Sequence, residues 1–411
     1  MAMAFGSGER GAARVRSGVP VRGEVRVPPS KSVTHRVVLL ALLGGRRVLV
    51  ERALLADDTE RLITAVEACG WRVDRRTDAT TGEAEGCSLV LEPGARPVTR
   101  ASIDCGGSGT LLRLLLGVLA ARPGSWMLDG APRLRERPVG ALVTALRELG
   151  SDVDYGGDPG FAPLRIRGRV LPGGRVRLDA SESSQYLSAL ILAALAAEGP
   201  TSIEVERLTS APYVDLTRTL VARWGGRLEV EEGGGVYRVW PGLEPPERIV
   251  VEVDDSSAAY FAAAAAVTGG EVRLRGLGAA SAQGDRRFLD LLARSGAGAT
   301  VERDSIRVPA LPPLRAVDVD LGDMPDQVPT LAALAPFARG TTRIRGVPHL
   351  RLKESDRLGA MATELRRVGA SAEERSDGLE IPGIWQRPEP PCHETLVGTH
   401  DAHRIALNLT H

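Results

Sequence analysis

The chain has 411 residues, 43% hydrophobic and 25% charged, an ordinary globular composition with apolar material for more than one core, so two domains are expected. Acidic and basic residues balance at 52 each, which argues against nucleic acid or an anionic membrane as partner and confines any anion site to a local cluster. No apolar stretch reaches bilayer length, the N-terminus around Gly6, Gly8, Arg10 and Arg14 lacks a signal core, and Cys69, Cys87, Cys105 and Cys392 lie far apart without Cys-x-x-Cys spacing; a cytoplasmic protein without a disulfide framework or a metal site is expected.

In chain order, small-residue apolar helices recur behind polar clusters. The first starts at Ser30-Lys31-Ser32 and stops at Gly44-Gly45, and the second starts at Gly107-Ser108-Gly109-Thr110 and stops near Gly124. The third starts at Ser183-Ser184-Gln185 and stops at Gly199, and the fourth runs from Asp255-Ser256-Ser257 to Gly269-Gly270. The fifth runs from Pro325-Asp326-Gln327 to Gly340, and a sixth begins at Asp401-Ala402-His403-Arg404 before the chain ends at His411. The period is roughly 75 residues, the mark of an internal repeat. Each of the first five is followed by an amphipathic helix closing on Gly70, Gly150, Gly225, Gly296 or Gly369. Segments such as Arg47-Val48-Leu49-Val50 and Glu271-Val272-Arg273-Leu274 predict strands between them. The fold class is therefore α/β of the α+β type, with six helix and strand modules grouped as two domains of three. The last module lacks the strand and second helix of the others, so an unfinished sheet is expected there.

Function is expected at the helix starts. An N-terminal helix end offers unpaired N–H groups and partial positive charge to phosphate or carboxylate. Ser, Thr or Asp at any one such start has a plainer explanation as a cap; what singles these out is their company. Of 52 basic residues only Lys31 and Lys353 are lysine, which suggests two positions that need a compact ammonium rather than a guanidinium. Arg36 follows Lys31 by little more than a turn, Ser183-Ser184-Gln185 stacks two hydroxyls and an amide, and Gly109 lets main chain approach a ligand. The runs Glu136-Arg137-Pro138 and Lys353-Glu354-Ser355-Asp356-Arg357 concentrate alternating charge ahead of amphipathic helices, a pattern that elsewhere is usually a solvated face.

These segments, in order from Pro28 to Arg404, closely resemble the EPSP synthases (3-phosphoshikimate 1-carboxyvinyltransferases) of the enolpyruvyl transferase family. The resemblance is carried by Ser30-Lys31-Ser32-Val33-Thr34-His35-Arg36, Gly109-Thr110-Leu111-Leu112-Arg113, Arg133-Leu134-Arg135-Glu136-Arg137-Pro138, Ser183-Ser184-Gln185, Ser210-Ala211-Pro212-Tyr213, Asp254, Asp326 and Lys353-Glu354-Ser355-Asp356-Arg357-Leu358. It implies a two-domain inside-out barrel with one discontinuous domain, residues 1–28 plus 252–411, and an inserted domain, residues 29–251. It also implies transfer of the enolpyruvyl group of phosphoenolpyruvate to the 5-hydroxyl of shikimate 3-phosphate, by a monomer with no cofactor. By the same resemblance Lys31, Asp326 and Glu354 are catalytic. Lys31, Ser32, Arg36, Ser183, Ser184, Gln185, Ser210, Asp326, His349 and Lys353 would bind shikimate 3-phosphate. Lys31, Gly109, Arg137, Gln185, Arg357 and Arg404 would bind phosphoenolpyruvate, with Arg113 and Asp254 in support.

The residue types suit that chemistry. Two substrates bearing phosphate and carboxylate need several fixed cations, and Arg36, Arg113, Arg137, Arg357 and Arg404 are the candidates. Addition to the enol ether needs a proton delivered to the methylene carbon and another drawn from the attacking hydroxyl, and elimination reverses the roles. The sequence departs from the family at Pro29, Gly107, His349 and Ala402, and a lysine that the family carries beyond the sixth helix has no counterpart. Two rival readings follow: a transferase acting on UDP-N-acetylglucosamine, which is expected to carry Lys-Asn where Lys31-Ser32 stands, and a catalytically inactive homologue that binds phosphorylated ligands.

Overall fold

The computed structural model describes residues 19–76, 87–277, 281–296, 298–309, 314–383, 397–398, 400 and 404. Within them the α-helices are α1 (Lys31–Gly44), α2 (Asp57–Ala68), α3 (Gly109–Ala120), α4 (Gly140–Glu148), α5 (Gln185–Leu195), α6 (Pro212–Arg223), α7 (Asp255–Thr268), α8 (Phe288–Arg294), α9 (Val328–Leu334) and α10 (Arg357–Arg367). The chain forms two compact units. One comprises Pro28–Asp254 together with Leu352–Glu354, and the other holds the residues before Pro28, Asp255–Arg351 and those from Ser355 onward.

Among the described residues there are five four-stranded sheets, all of one pattern: a parallel pair at one edge and antiparallel partners beyond it. In the sheet of Arg100–Asp104, Gly124–Asp129, Leu164–Gly168 and Asp152–Tyr155, the first two strands pair in parallel with Arg100 opposite Ser125, and the rest pair antiparallel. Helix α3 is the crossover that a parallel pair requires. In two sheets the leading strand comes from far away in sequence. Arg248–Val250 pairs with Val48–Ala53, and Arg22–Arg26 pairs with Glu271–Arg275. The reason is that the chain leaves one unit to build the other before returning.

Among the described residues the first helices of the modules are buried nearly all round and the second ones on one side, as alanine and leucine all round against a single apolar stripe predict. In α3 every residue from Leu111 to Ala120 is buried, whereas α2 buries only Thr59, Leu62, Ile63, Ala65 and Val66. Helices α3 and α5 approach so closely at Gly117 that a Cβ there would stand 2.2 Å from Ala189 O. Truncating one of the core leucines to alanine costs roughly 2–5 kcal/mol. The glycines that end the second helices, Gly70, Gly150, Gly225, Gly296 and Gly369, all have φ between +69° and +95°, the left-handed turn that reverses a helix into a strand and that other residues resist.

Two expectations need correction. The fifth apolar segment is not one helix to Gly340: it breaks into a 3-10 turn (Pro325–Gln327), the seven-residue α9 and a second 3-10 turn (Ala335–Phe337). Pro325, Pro329 and Pro336 lack the N–H that a continuous helix needs. Residues 352–354, assigned from sequence to the discontinuous domain, group instead with Pro28–Asp254. The start of the sixth helix, at residues 401–403, lies outside the described residues.

Candidate active site

In the Pro28–Asp254 unit the chain's arrival and departure are stitched together. Ser30 N–H donates to Glu252 O and Asp254 N–H to Pro28 O, both at 2.8 Å, and Pro29 bridges Val253. Asp254 therefore stands beside the start of α1. Ser30 caps that helix by accepting from Val33 N–H at 3.4 Å, which is the plain role of a serine there, and Lys31 is its first residue. The Lys31 ammonium lies 2.9 Å from Asp58 Oδ2, with 22% and 26% of the two side chains exposed. Burial favours the neutral acid at Asp58, but the charge of Lys31 and its hydrogen bond win and hold the carboxyl below its ordinary range. Glu354, which also acts on Asp58 electrostatically, opposes this.

Beneath them His35 is fully buried with Nδ1 3.0 Å from Lys31 O. Burial pulls its pKa from 6.5 down to about 4, against the counter-pull of Asp58, so it is neutral at pH 7. Arg36 is buried and makes three bonds inside the protein. Its Nε donates to Thr217 Oγ1 at 2.8 Å, Nη1 to Ser32 O at 2.9 Å and Nη2 to Tyr213 O at 3.1 Å, and burial lowers its pKa to about 10, which still leaves it charged at neutrality. It ties the first turn of α1, with Ser32, to the first turn of α6. Ser210, just before α6, is buried and has φ +53°, a left-handed conformation that a serine adopts only where its surroundings enforce it.

At the start of α3 Ser108 caps Leu111 N–H, and Gly109 lies against Arg137. A Cβ on Gly109 would meet the Arg137 Cζ at 2.4 Å, so the missing side chain is what makes room for that guanidinium. Arg137 is 3% exposed, donates to Gly107 O at 3.2 Å and stands 3.9 Å from Glu354 Oε1. Arg113 is buried: its Nη1 donates to Gln185 Oε1 and its Nη2 to Pro138 O, both at 2.9 Å, over the ring of Tyr186. Gln185 Nε2 donates to Thr110 Oγ1 at 2.9 Å. Ser183 and Ser184 are buried ahead of α5, where Ser183 Oγ accepts from Gln185 N–H. Lys31, Gly109, Arg137, Glu354 and the third helix start thus belong to one unit, as does Lys353, whose carbonyl oxygen accepts from Arg133.

In the other unit Asp326 is clamped. Its Oδ1 accepts from Arg357 Nη1 at 2.8 Å and its Oδ2 lies 2.8 Å from Arg404 Nη2, while Arg404 Nη1 donates to the Tyr260 hydroxyl at 2.8 Å. Asp356 starts α10 by capping Leu358 and Gly359 N–H, both at 3.1 Å, which sets Arg357 at the first position of the helix. His349 is buried in the 3-10 turn Pro348–Leu352. Asp58 and Tyr260 were missed from sequence, and Thr110 and Arg133 were read only as members of motifs, without a role of their own. Asp58 had the only available signal, an acid in the first turn of a helix, and that reads equally as dipole compensation. Among the described residues no group of three or more His, Cys, Asp or Glu is arranged to hold a metal ion, and no helix is long and apolar enough to cross a membrane.

The chain matches the family EPSP synthase (3-phosphoshikimate 1-carboxyvinyltransferase) over residues 15–410. It is 42% identical over 389 residues to the 3-phosphoshikimate 1-carboxyvinyltransferase of Syntrophobacter fumaroxidans, covering 94% of this chain and 89% of that one. It is 38% identical over 400 residues to the chloroplastic 3-phosphoshikimate 1-carboxyvinyltransferase of Solanum lycopersicum, covering 94% and 76%. The solved EPSP synthase of Acinetobacter baumannii superposes with a TM-score of 0.76 at 26% identity, covering 96% of this chain and 90% of that chain. On these matches the chain belongs to the EPSP synthase family.

Proposed function

We propose that the two side-chain clusters carry out the reaction of this family, transfer of the enolpyruvyl group from phosphoenolpyruvate to the 5-hydroxyl of shikimate 3-phosphate with release of phosphate. The observation that supports this reading best is the company kept by Glu354: a carboxylate near a buried guanidinium, Arg137, in the same unit as both of the chain's lysines. Glu354 gives a proton to the methylene carbon of the donor while Asp326 takes the proton of the attacking hydroxyl, and a C–O bond forms at the carbon that carries the phosphate. Glu354 then removes a proton from the new methyl group, the C–O bond to phosphate breaks as Asp326 returns its proton to the departing phosphate, and the enol ether and phosphate leave. No electrons change hands, so the balance closes without a redox cofactor.

Lys31 stabilises charge at the bridging oxygen, exchanging Asp58 for a substrate anion. Arg137, Arg357 and Arg404 grip the donor, with Gly109 and Gln185 beside them. Ser32, Arg36, Ser183, Ser184, Ser210, His349 and Lys353 hold the acceptor, Arg113 braces the helix starts from inside, and Asp254 supports at the seam. We take residues 29–251, joined by 352–354, as the inserted domain and residues 1–28 with 252–351 and 355–411 as the discontinuous one, in a monomeric, cytoplasmic enzyme.

The test is phosphate release from phosphoenolpyruvate with shikimate 3-phosphate or UDP-N-acetylglucosamine as acceptor. Release is expected with the first alone, and Lys31→Met should lower kcat by on the order of a thousandfold while the melting temperature stays put. Release only with the nucleotide sugar, or near-normal turnover by Lys31→Met, would refute this assignment.

A further inference from the structure

Arg137 is delivered by a short 3-10 turn, Leu134–Glu136, whose main chain has little freedom. Ala131 N–H donates to Gly106 O at 2.8 Å, Leu134 N–H to Ala131 O at 2.8 Å and Arg137 N–H to Leu134 O at 3.1 Å. Leu134 is fully buried, and Arg135 is anchored to Asp129 by two bonds of 2.8 and 2.6 Å. Arg133 opens this turn. Its Nε donates to Glu354 O at 3.2 Å and its Nη2 to Lys353 O at 3.1 Å, while Nη1 bonds the Glu136 carboxylate at 2.6 Å.

A planar guanidinium laid across two successive carbonyls sets both the place and the tilt of the peptide between them, which a single ammonium cannot do. Glu136 keeps the plane from rotating away. The gripped piece is three residues long, Leu352–Glu354, and its neighbours on both sides group with the other unit. Two arginines four positions apart on one rigid turn therefore act on one short stretch: Arg137 approaches the Glu354 carboxylate, and Arg133 holds the Glu354 main chain.

We infer that Arg133 is a positioning residue for this reaction. It holds the Lys353 and Glu354 carbonyls so that the Glu354 carboxyl meets the donor's methylene carbon, and it is a ligand of neither substrate. The inference rests on the role proposed for Glu354.

The experiment compares the full-length parent with Arg133→Lys, Arg133→Ala and Glu136→Gln, measuring kcat, the KM of each substrate, the melting temperature and amide hydrogen exchange over residues 352–356. Arg133→Lys keeps the charge and loses the fork. It should lower kcat by on the order of ten- to a hundredfold, because a displacement of about 1 Å at the reacting group is enough to do so, with both KM values within about threefold and melting unchanged. Glu136→Gln should show a smaller loss, and exchange over residues 352–356 should quicken in both arginine variants. A kcat within about twofold of the parent, a rise in KM that matches the loss of rate, or unaltered exchange would overturn the inference. Should Arg133→Ala fail to fold, Arg133→Lys decides. If the parent itself releases no phosphate, the functional reading falls, and the exchange measurement alone then judges the anchoring.

Discussion

In the Pro28–Asp254 unit Lys31 faces one carboxylate, Asp58 at 2.9 Å, with 22% and 26% of the side chains still in water; in the other unit Asp326 faces two nearly buried guanidiniums, Arg357 and Arg404, each at 2.8 Å. A partly solvated one-to-one pair is cheap to open, at about 1 kcal/mol or less. A carboxylate between two buried guanidiniums is expensive to disturb, because removing it takes the shared counter-charge from both. The contrast teaches that the first arrangement suits a cation that must change partners when an anion arrives, and the second suits a carboxylate that holds two guanidiniums in fixed places.

The harshest way to break this comparison is Asp326→Ala. It leaves Arg357 and Arg404 without their shared carboxylate and should destabilise the chain by about 4 kcal/mol in denaturant unfolding, the scale for stripping one partner from a buried pair; a change under about 1 kcal/mol would mean that the clamp is as loose as the Lys31 pair. A milder probe uses His35 beneath Lys31. Its pKa is lowered from 6.5 to about 4 by burial, so the unfolded chain binds a proton that the folded chain refuses. The stability that neutral His35 supports is present above pH 6.5 and is lost as pH falls toward 4, by about 3 kcal/mol. Urea midpoints at pH 7 and pH 4.5 would show this, and His35→Gln should flatten that part of the profile. The gentlest probe is Gly109→Ala. The new Cβ would press on the Arg137 guanidinium, the movable end of a side chain, so the fold should stand while the KM for phosphoenolpyruvate rises about tenfold, or about 1.4 kcal/mol; an unchanged KM would show that Arg137 is not a donor ligand.

Much of the site was legible because its parts sit at helix starts, where the residue types demanded by local geometry are few. Ser30 and Ser108 cap the helices that their sequence announced, and the rarity of lysine drew notice to Lys31 and Lys353. Asp58 escaped because it stands among Asp57 and Glu60 in the first turn of α2, where acids need no further explanation. Arg133 was read only as a member of its motif for the opposite reason, being one arginine among very many. That Arg36 and Arg113 are buried and bonded to neighbouring helices was not legible, since sequence cannot tell an exposed guanidinium from an interior one.

What the amino-acid sequence by itself determined is the alternation of all-round apolar and one-faced helices, the left-handed glycines that end the second helices, and the polar residues at the helix starts, since each follows from a span of a few residues. Only the tertiary structure decided which charges meet: Asp58 with Lys31, the two guanidiniums on Asp326, and the capture of Leu352–Glu354 by the unit that carries Arg133. Those pairings join residues up to 221 positions apart. They depend on how whole sheets and helices stack, which no local pattern encodes.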